Sequence, residues 1–395
     1  MTPLAITHFT ATSALGRGIG MHLRALTGGE SGLAPCHFET VELPTWVGDL
    51  GELPGLPEGF AEFDCRNTRL VENGLLADGF AGAARACIER LGAQRVGLVI
   101  GTSTTGVLST EQAYRSRDPA TGALPPGFHY ETTQNAYGPA RYLRARLGLT
   151  GPATVISTAC SSSAKVFATA ARWIEAGLVD AAIVGGIDSL CLTTLYGFHS
   201  LQLAATGPCR PFDVARDGIS IGEAAAYALI ERAGTEATAE SPRLLGYGES
   251  SDAHHMSAPH PEGLGAQLAM HGALARASLS PSQIDYLNLH GTGTPSNDLA
   301  ESLAVAAVFP EGVACSSTKG ATGHTLGAAG ALEAVICLLA IEHGFIPGGT
   351  NLETLDPRLA IDYRATATTA RVRHAMSNSF GFGGSNAALI FGAPP

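Results

Sequence analysis

Short apolar runs alternate along this chain with longer Ala-rich stretches, and Gly/Thr-rich turns separate them. Residues 96–101 (Val-Gly-Leu-Val-Ile-Gly) read as a buried strand running into the turn Thr102-Ser103-Thr104. Residues 284–289 (Ile-Asp-Tyr-Leu-Asn-Leu) likewise read as a strand and run into His290-Gly291-Thr292-Gly293-Thr294. A second strand-turn-helix pattern follows each of these, at 154–174 and at 313–341. Residues 181–186 and 226–230 read as further buried strands, and 164–176 and 327–341 as helices. Continuous apolar strands alternating with helices predict sheets covered by helices. The corresponding turns in the two parts predict a duplicated α/β unit. The polar stretch 231–242 marks the expected boundary, giving halves at 1–235 and 236–395. Gly327-Ala328-Ala329-Gly330-Ala331 opens a helix with a small-residue face, which suits close helix packing. The turn at Gly101 lacks the Lys-Ser/Thr ending of a phosphate loop.

Composition narrows the class. A chain of 395 residues with 45% hydrophobic content can bury a large core, and its length suits two or three structural units. Only 15% of residues are charged, which predicts surface hidden in a subunit interface. The net charge of −11 argues against nucleic-acid binding, which needs phosphate neutralisation. The eight cysteines form no C-x-x-C pair, so neither a metal site nor a disulfide framework is expected. A reducing cytoplasm fits, and neither a signal peptide nor a membrane span is expected. Of 24 basic residues only Lys165 and Lys319 are lysines.

One thiol and two imidazoles carry the candidate chemistry. Cys160 lies in Thr158-Ala159-Cys160-Ser161-Ser162-Ser163, between a strand and the start of a helix. The helix end favours thiolate there. His290 and His324 each sit in a Gly/Thr-rich turn, where strand ends build α/β sites. A Cys nucleophile with two distant histidines suggests carbon–carbon bond chemistry on thioesters.

Five segments together resemble the β-ketoacyl-acyl-carrier-protein synthases, condensing enzymes of the thiolase superfamily. They are the Cys160 turn; Pro211-Phe212-Asp213 with Arg216-Asp217-Gly218; His290-Gly291-Thr292-Gly293-Thr294-Pro295 with Asn297-Asp298; Ser317-Thr318-Lys319-Gly320 through His324 to Gly330; and Asn378-Ser379-Phe380-Gly381-Phe382-Gly383-Gly384. Their order and spacing match the family over nearly the whole chain. The resemblance implies the five-layered αβαβα thiolase fold in two pseudo-repeated halves. It implies an acyltransferase that loads Cys160 with an acyl chain and extends it by decarboxylative Claisen condensation with a malonyl thioester. No cofactor or metal is expected to be bound; substrates would arrive on the phosphopantetheine of an acyl carrier protein.

The resemblance also assigns roles. His290 and His324 would donate to the enolate. Lys319 would orient the second histidine, and Glu301 would be an orienting or structural residue near Lys319 and His324. The N–H groups of Cys160 and Phe382 would form the oxyanion hole, and Phe380 and Phe382 would gate entry. Thr292 and Thr294 would hold the pantetheine arm, and Phe198 would wall the acyl pocket. Arg66 and Arg69 fall where related synthases dock the carrier protein. A homodimer is expected, or a heterodimer with a ketosynthase-like subunit, with residues 130–137 crossing between subunits. A non-catalytic partner subunit is the alternative, and it would lack the Cys/His/His set. A pathway making aryl polyene pigments is one expected setting.

Overall fold

The computed structural model describes residues 1–234 and 238–395. In the first part, strands β1 (Leu4–Ser13), β2 (Val96–Gly101), β3 (Ala153–Ile156), β4 (Ala181–Asp188) and β5 (Ala224–Arg232) alternate with helices. The helices are α1 (Ile19–Gly28), α2 (Arg66–Leu75), α3 (Phe80–Leu91), α4 (Val107–Arg115), α5 (Gly138–Leu147), α6 (Ser162–Glu175) and α7 (Leu192–Ser200). The second part holds strands β6 (Arg243–Ser251), β7 (Tyr286–Asn288), β8 (Ala314–Ser316), β9 (His374–Gly381) and β10 (Ser385–Gly392). Its helices are α8 (Leu264–Ala277), α9 (Pro295–Val308), the single turn α10 (Lys319–Thr322) and α11 (Ala329–His343).

The duplication is visible in the strand order. The first five strands lie as β3-β2-β4-β5-β1 and the second five as β8-β7-β9-β10-β6. In both, the third, second and fourth strands run parallel, the fifth pairs antiparallel with the fourth, and the first pairs antiparallel with the fifth. The start of β1 also pairs with β6, so the two sheets form one continuous path. The boundary expected between residues 235 and 236 lies outside the described residues.

Period-two patterning builds the five layers. Ala181 and Ile183 of β4 face an outer cluster with α2, α3 and α5, whereas Ala182 and Val184 face α6 and α11. On β10, Ala387, Leu389 and Phe391 face that same middle layer, whereas Ala388 and Ile390 face α8 and α9. The architecture is therefore α2/α3/α5, sheet, α6/α11, sheet, α8/α9, the thiolase-like fold that the sequence predicts. Helix α11 is buried on every side from Ala329 to Ile341, which is why its apolar residues show no stripe. The stretch Leu326–His343 is long and apolar enough to cross a membrane, but it runs through the middle of the molecule.

Small residues let the middle layer close. A Cβ on Gly330 would lie 2.5 Å from the Ala164 nitrogen of α6, and one on Gly101 would lie 2.5 Å from the Ser163 Cα. The small-residue face at 327–331 is thus a packing surface, as expected. The turn after β2 closes on a carboxylate of the chain itself. Asp188 accepts the N–H groups of Ser103, Thr104 and Gly327 and the hydroxyls of Thr102, Ser103 and Thr104. Its donors are occupied, so the likeness to a phosphate loop is superficial, as the sequence indicates.

Candidate active site

Cys160 stands between β3 and α6. Ala159 takes a left-handed conformation (φ 52°), a strained turn that side-chain bonds hold in place. Ser162 Oγ accepts the Thr158 N–H at 2.9 Å and donates to Ala159 O, and Ser161 Oγ donates to Thr158 O. The Ser-rich wording therefore builds the turn. Burial pushes the Cys160 thiol up to about 12; the Lys319 charge and the Phe382 N–H pull it down without prevailing. The expected resting thiolate is corrected on this point: the helix end acts on a sulfur that is only 6% exposed, and desolvation outweighs it.

The two histidines come from the second half. His290 follows β7, and Glu301 on α9 fixes its backbone by accepting the N–H groups of His290 (2.8 Å) and Gly291 (2.7 Å). His324 follows α10, and the first half clamps its backbone: His324 N–H donates to Ser220 O, and Gly222 N–H to His324 O. The rings lie 5.3 Å apart at 84°. The Cys160 sulfur and a nitrogen of each ring lie within 4.8 Å of one another.

The neighbours set the tautomers. Lys319 Nζ donates to His290 O at 2.5 Å and faces His290 Nδ1 at 3.5 Å, and the Leu326 N–H donates to His324 Nδ1 at 3.2 Å. Both Nδ1 atoms thus accept, and each neutral ring carries its proton on Nε2. Burial, reinforced by Lys319, holds both imidazoles well below their ordinary value of 6.5. Two neutral N–H donors therefore converge on the sulfur. Zinc could use a Cys/His/His set, but metal-bound histidines donate through their second nitrogen. Here that nitrogen accepts, so the polarity suits anion stabilisation rather than a metal.

Two expected neighbours need correcting. Lys319 contacts His290 rather than His324, because its side chain runs from α10 back beneath the end of β7. Glu301 braces the His290 backbone and Asn378, and the ion-pair partner of Lys319 is Glu333 on α11. Burial pushes Glu333 and Glu301 up to about 7, while Lys319 pulls Glu333 down and the His290 and Gly291 N–H groups pull Glu301 down. Glu333 escaped the sequence reading, although a carboxylate set among the buried residues of the most apolar helix was a visible signal.

A cavity opens over the sulfur. Cys160, His290 and His324 line it with Thr292, Thr294, Phe198, Phe380 and Phe382. Thr292 and Thr294 share a hydroxyl bond of 2.9 Å. Phe382 is 37% exposed, its ring 5.7 Å from that of Phe198. Asp252 and Asn386, bonded at 2.7 Å, line the same cavity and carry no motif that sequence reasoning could use. The Pro211–Gly218 motif is a brace: Asp213 accepts the N–H groups of Ala215, Glu353 and Thr354. Lys165 does not line the cavity; it sits half-buried on α6 near Glu249 and Arg172.

Arg66 and Arg69, expected at the docking face, both carry ion pairs within the chain. Arg66 is tied to buried Glu223 and to Asp49, and its guanidinium lies 5.2 Å over the Phe38 ring. Arg69 forms a bidentate pair with Asp64. Arg66 is mostly enclosed by its partners, whereas the Arg69–Asp64 pair lies at the surface.

Comparison with known proteins agrees with this geometry. Residues 81–236 match the family model for the N-terminal domain of β-ketoacyl synthases, and residues 242–353 match that for the C-terminal domain. The chain is 31% identical to 3-oxoacyl-[acyl-carrier-protein] synthase 2 of Vibrio cholerae, over 98% of both chains. It is 41% identical to the mitochondrial 3-oxoacyl-[acyl-carrier-protein] synthase of Arabidopsis thaliana, over 63% of this chain and 58% of that one. Among solved structures it is similar to a ketosynthase in complex with its chain length factor from Xenorhabdus doucetiae, with TM-score 0.89, 38% identity, and 99% and 98% of the two chains covered. The ishigamide ketosynthase/chain length factor is also similar, with TM-score 0.88 and 29% identity over 99% of each chain.

Proposed function

We propose a mechanism from one premise: the chain belongs to the β-ketoacyl synthase family, enzymes that transfer and condense acyl groups. Cys160 attacks the carbonyl of an acyl thioester carried on the phosphopantetheine of an acyl carrier protein. The new C–S bond forms on Cys160, the old one breaks, and the Cys160 proton leaves with the pantetheine sulfur. The Phe382 N–H, already directed at the sulfur, and the Cys160 N–H hold the oxyanion. A malonyl thioester then enters past Phe380 and Phe382, its arm against Thr292 and Thr294.

Loss of carbon dioxide leaves the electron pair on a thioester enolate. The Nε2–H groups of His290 and His324 donate to its oxygen. The enolate carbon attacks the acyl-Cys160 carbonyl, a C–C bond forms, and the Cys160 C–S bond breaks. The product is a β-ketoacyl thioester longer by a two-carbon unit. Lys319, paired with Glu333, keeps His290 in its donor tautomer.

The observation that carries this reading is the meeting of the sulfur and the two imidazoles within 4.8 Å, with both Nδ1 atoms occupied as acceptors. A non-catalytic partner subunit would have no use for that arrangement. Mass spectrometry after incubation with acyl-carrier protein tests it. Acylation should fall on Cys160, and ketoacyl product should appear only when malonyl thioester is added. His324→Ala should keep the acylation and lose about 10²–10³ in malonyl decarboxylation. Acylation on another cysteine would sink the proposal.

The chain would act in a pair, either with a copy of itself or with a chain length factor. Two of the similar structures are ketosynthases with such a factor, which supports the second arrangement with this chain as the catalytic subunit. All eight cysteines are free, which supports a reducing, cytoplasmic setting. An aryl polyene pathway is proposed for its products, and profiling with aromatic and straight-chain primers tests it. Saturated long chains as sole products would end that idea.

A further inference from the structure

The apolar end of the cavity has a wall that a carboxylate holds shut. Phe198 and Ile219 line the cavity above Cys160. Both also belong to a cluster with Leu108 of α4 and Leu192 and Leu195 of α7. The polar lining of the cavity comes from His290, His324, Thr292 and Asp252. Because Phe198 and Ile219 belong both to the cavity lining and to this cluster, a chain on Cys160 that presses on them presses on the cluster. The separation of α4 from α7 therefore sets the depth available.

Helix α7 is nine residues long, and its N-cap residue, Cys191, makes no side-chain capping bond. A helix this short is marginal unless its end is satisfied. Glu111, projecting from α4, supplies the missing cap. Its carboxylate accepts the N–H groups of Leu192 (3.0 Å) and Thr193 (2.6 Å) and the Thr193 hydroxyl (2.5 Å). A negative charge at a helix N-terminus is doubly suited, as hydrogen-bond acceptor and as counter to the dipole. Phe198, in the last turn of α7, packs against Phe382 with centroids 5.7 Å apart. The cap thus acts on the pocket wall through the helix.

We propose that Glu111 is a positioning residue that sets the acyl-chain length the enzyme accepts, by latching α7 and Phe198 to α4. This rests on the ketosynthase reading of Cys160. With the latch cut, α7 can shift away from α4, and longer chains gain room.

The test uses the full-length protein with hexanoyl- and dodecanoyl-carrier protein, following acylation of Cys160 by mass spectrometry. In Glu111→Ala the ratio of dodecanoyl to hexanoyl kcat/KM should rise about fivefold, the factor that one helix cap of about 1 kcal/mol corresponds to. Glu111→Gln, which keeps an acceptor, should fall between that variant and wild type. Thr193→Val, which removes only the hydroxyl donor, should shift the ratio the same way by less. If Glu111→Ala does not fold, the other two variants decide. A lowered Tm with an unchanged chain-length ratio overturns the proposal. Failure of either acyl group to load Cys160 in the wild type would instead remove the ketosynthase reading beneath it.

Discussion

At the scale of single residues, burial decides more than position in the chain does. Cys160 sits where a helix end favours thiolate, yet its enclosure raises the thiol to about 12. The sign of the consequence follows directly: the thiolate fraction, and with it the rate of alkylation by iodoacetamide, should climb with pH throughout the neutral and mildly alkaline range. A plateau below pH ~8, the range of strongly activated cysteines, would show that the helix end wins after all. His290 and His324 are affected in the opposite sense, because the same burial disfavours their cationic forms. They remain donors of a single proton each. The two arginines at the expected docking face differ in the same way. Arg66 is held by Glu223, whose side chain is fully enclosed, whereas Arg69 meets Asp64 at the surface.

At the scale of elements, glycine and alanine control how closely the layers approach. Gly330 lets α11 meet α6 at Ala164, and Gly101 lets β2 end against the start of the helix that follows Cys160. Gly330→Val should cost about 1–3 kcal/mol, the usual penalty of overfilling a packed interior. Urea denaturation would measure that loss. Because α6 follows directly from the Cys160 turn, the same variant should slow Cys160 acylation. Full stability in Gly330→Val would mean that the middle layer is looser than its contacts indicate. The short strands β7 and β8 were read from their apolar runs, though β7 is shorter than the run 284–289 suggests. The strands β1, β6, β9 and β10 went unread. In β9 and β10 both faces are covered, and polar residues such as Asn378 and Ser379 lie buried within the run. In β9 this left neither a strict alternation nor a clean apolar block, whereas the block Ala387–Phe391 of β10 was legible and was passed over.

At the scale of the molecule, the two halves share one topology and divide the chemistry: the thiol comes from the first, the imidazoles from the second. Strand β3 is the free edge of the first sheet, and Ala153–Ile156 is only partly buried. An uncovered edge of Ala, Thr, Val and Ile is a template for pairing. With a charged fraction of 15%, it supports association through this edge. The Thr154 N–H faces β2 and that of Val155 faces the open edge, so Val155→Pro removes a donor there, and if the chain pairs through this edge the variant should run as a monomer in light scattering after size exclusion where the wild type runs as a dimer. An unchanged dimer would place the interface elsewhere.

The residue types, their order and their spacing were enough to identify the fold class and the Cys160, His290 and His324 set, because motifs built from Gly, Thr and Cys are local and survive in one dimension. The partners of those residues were not legible. Glu333 meets Lys319 across 14 positions of chain, and Ser220 holds His324 from the other half of the molecule. Glu111 caps a helix that begins 81 residues later. Desolvation likewise depends on what surrounds a group in space, and that is why the protonation of the thiol and of both imidazoles was decided by the tertiary structure alone.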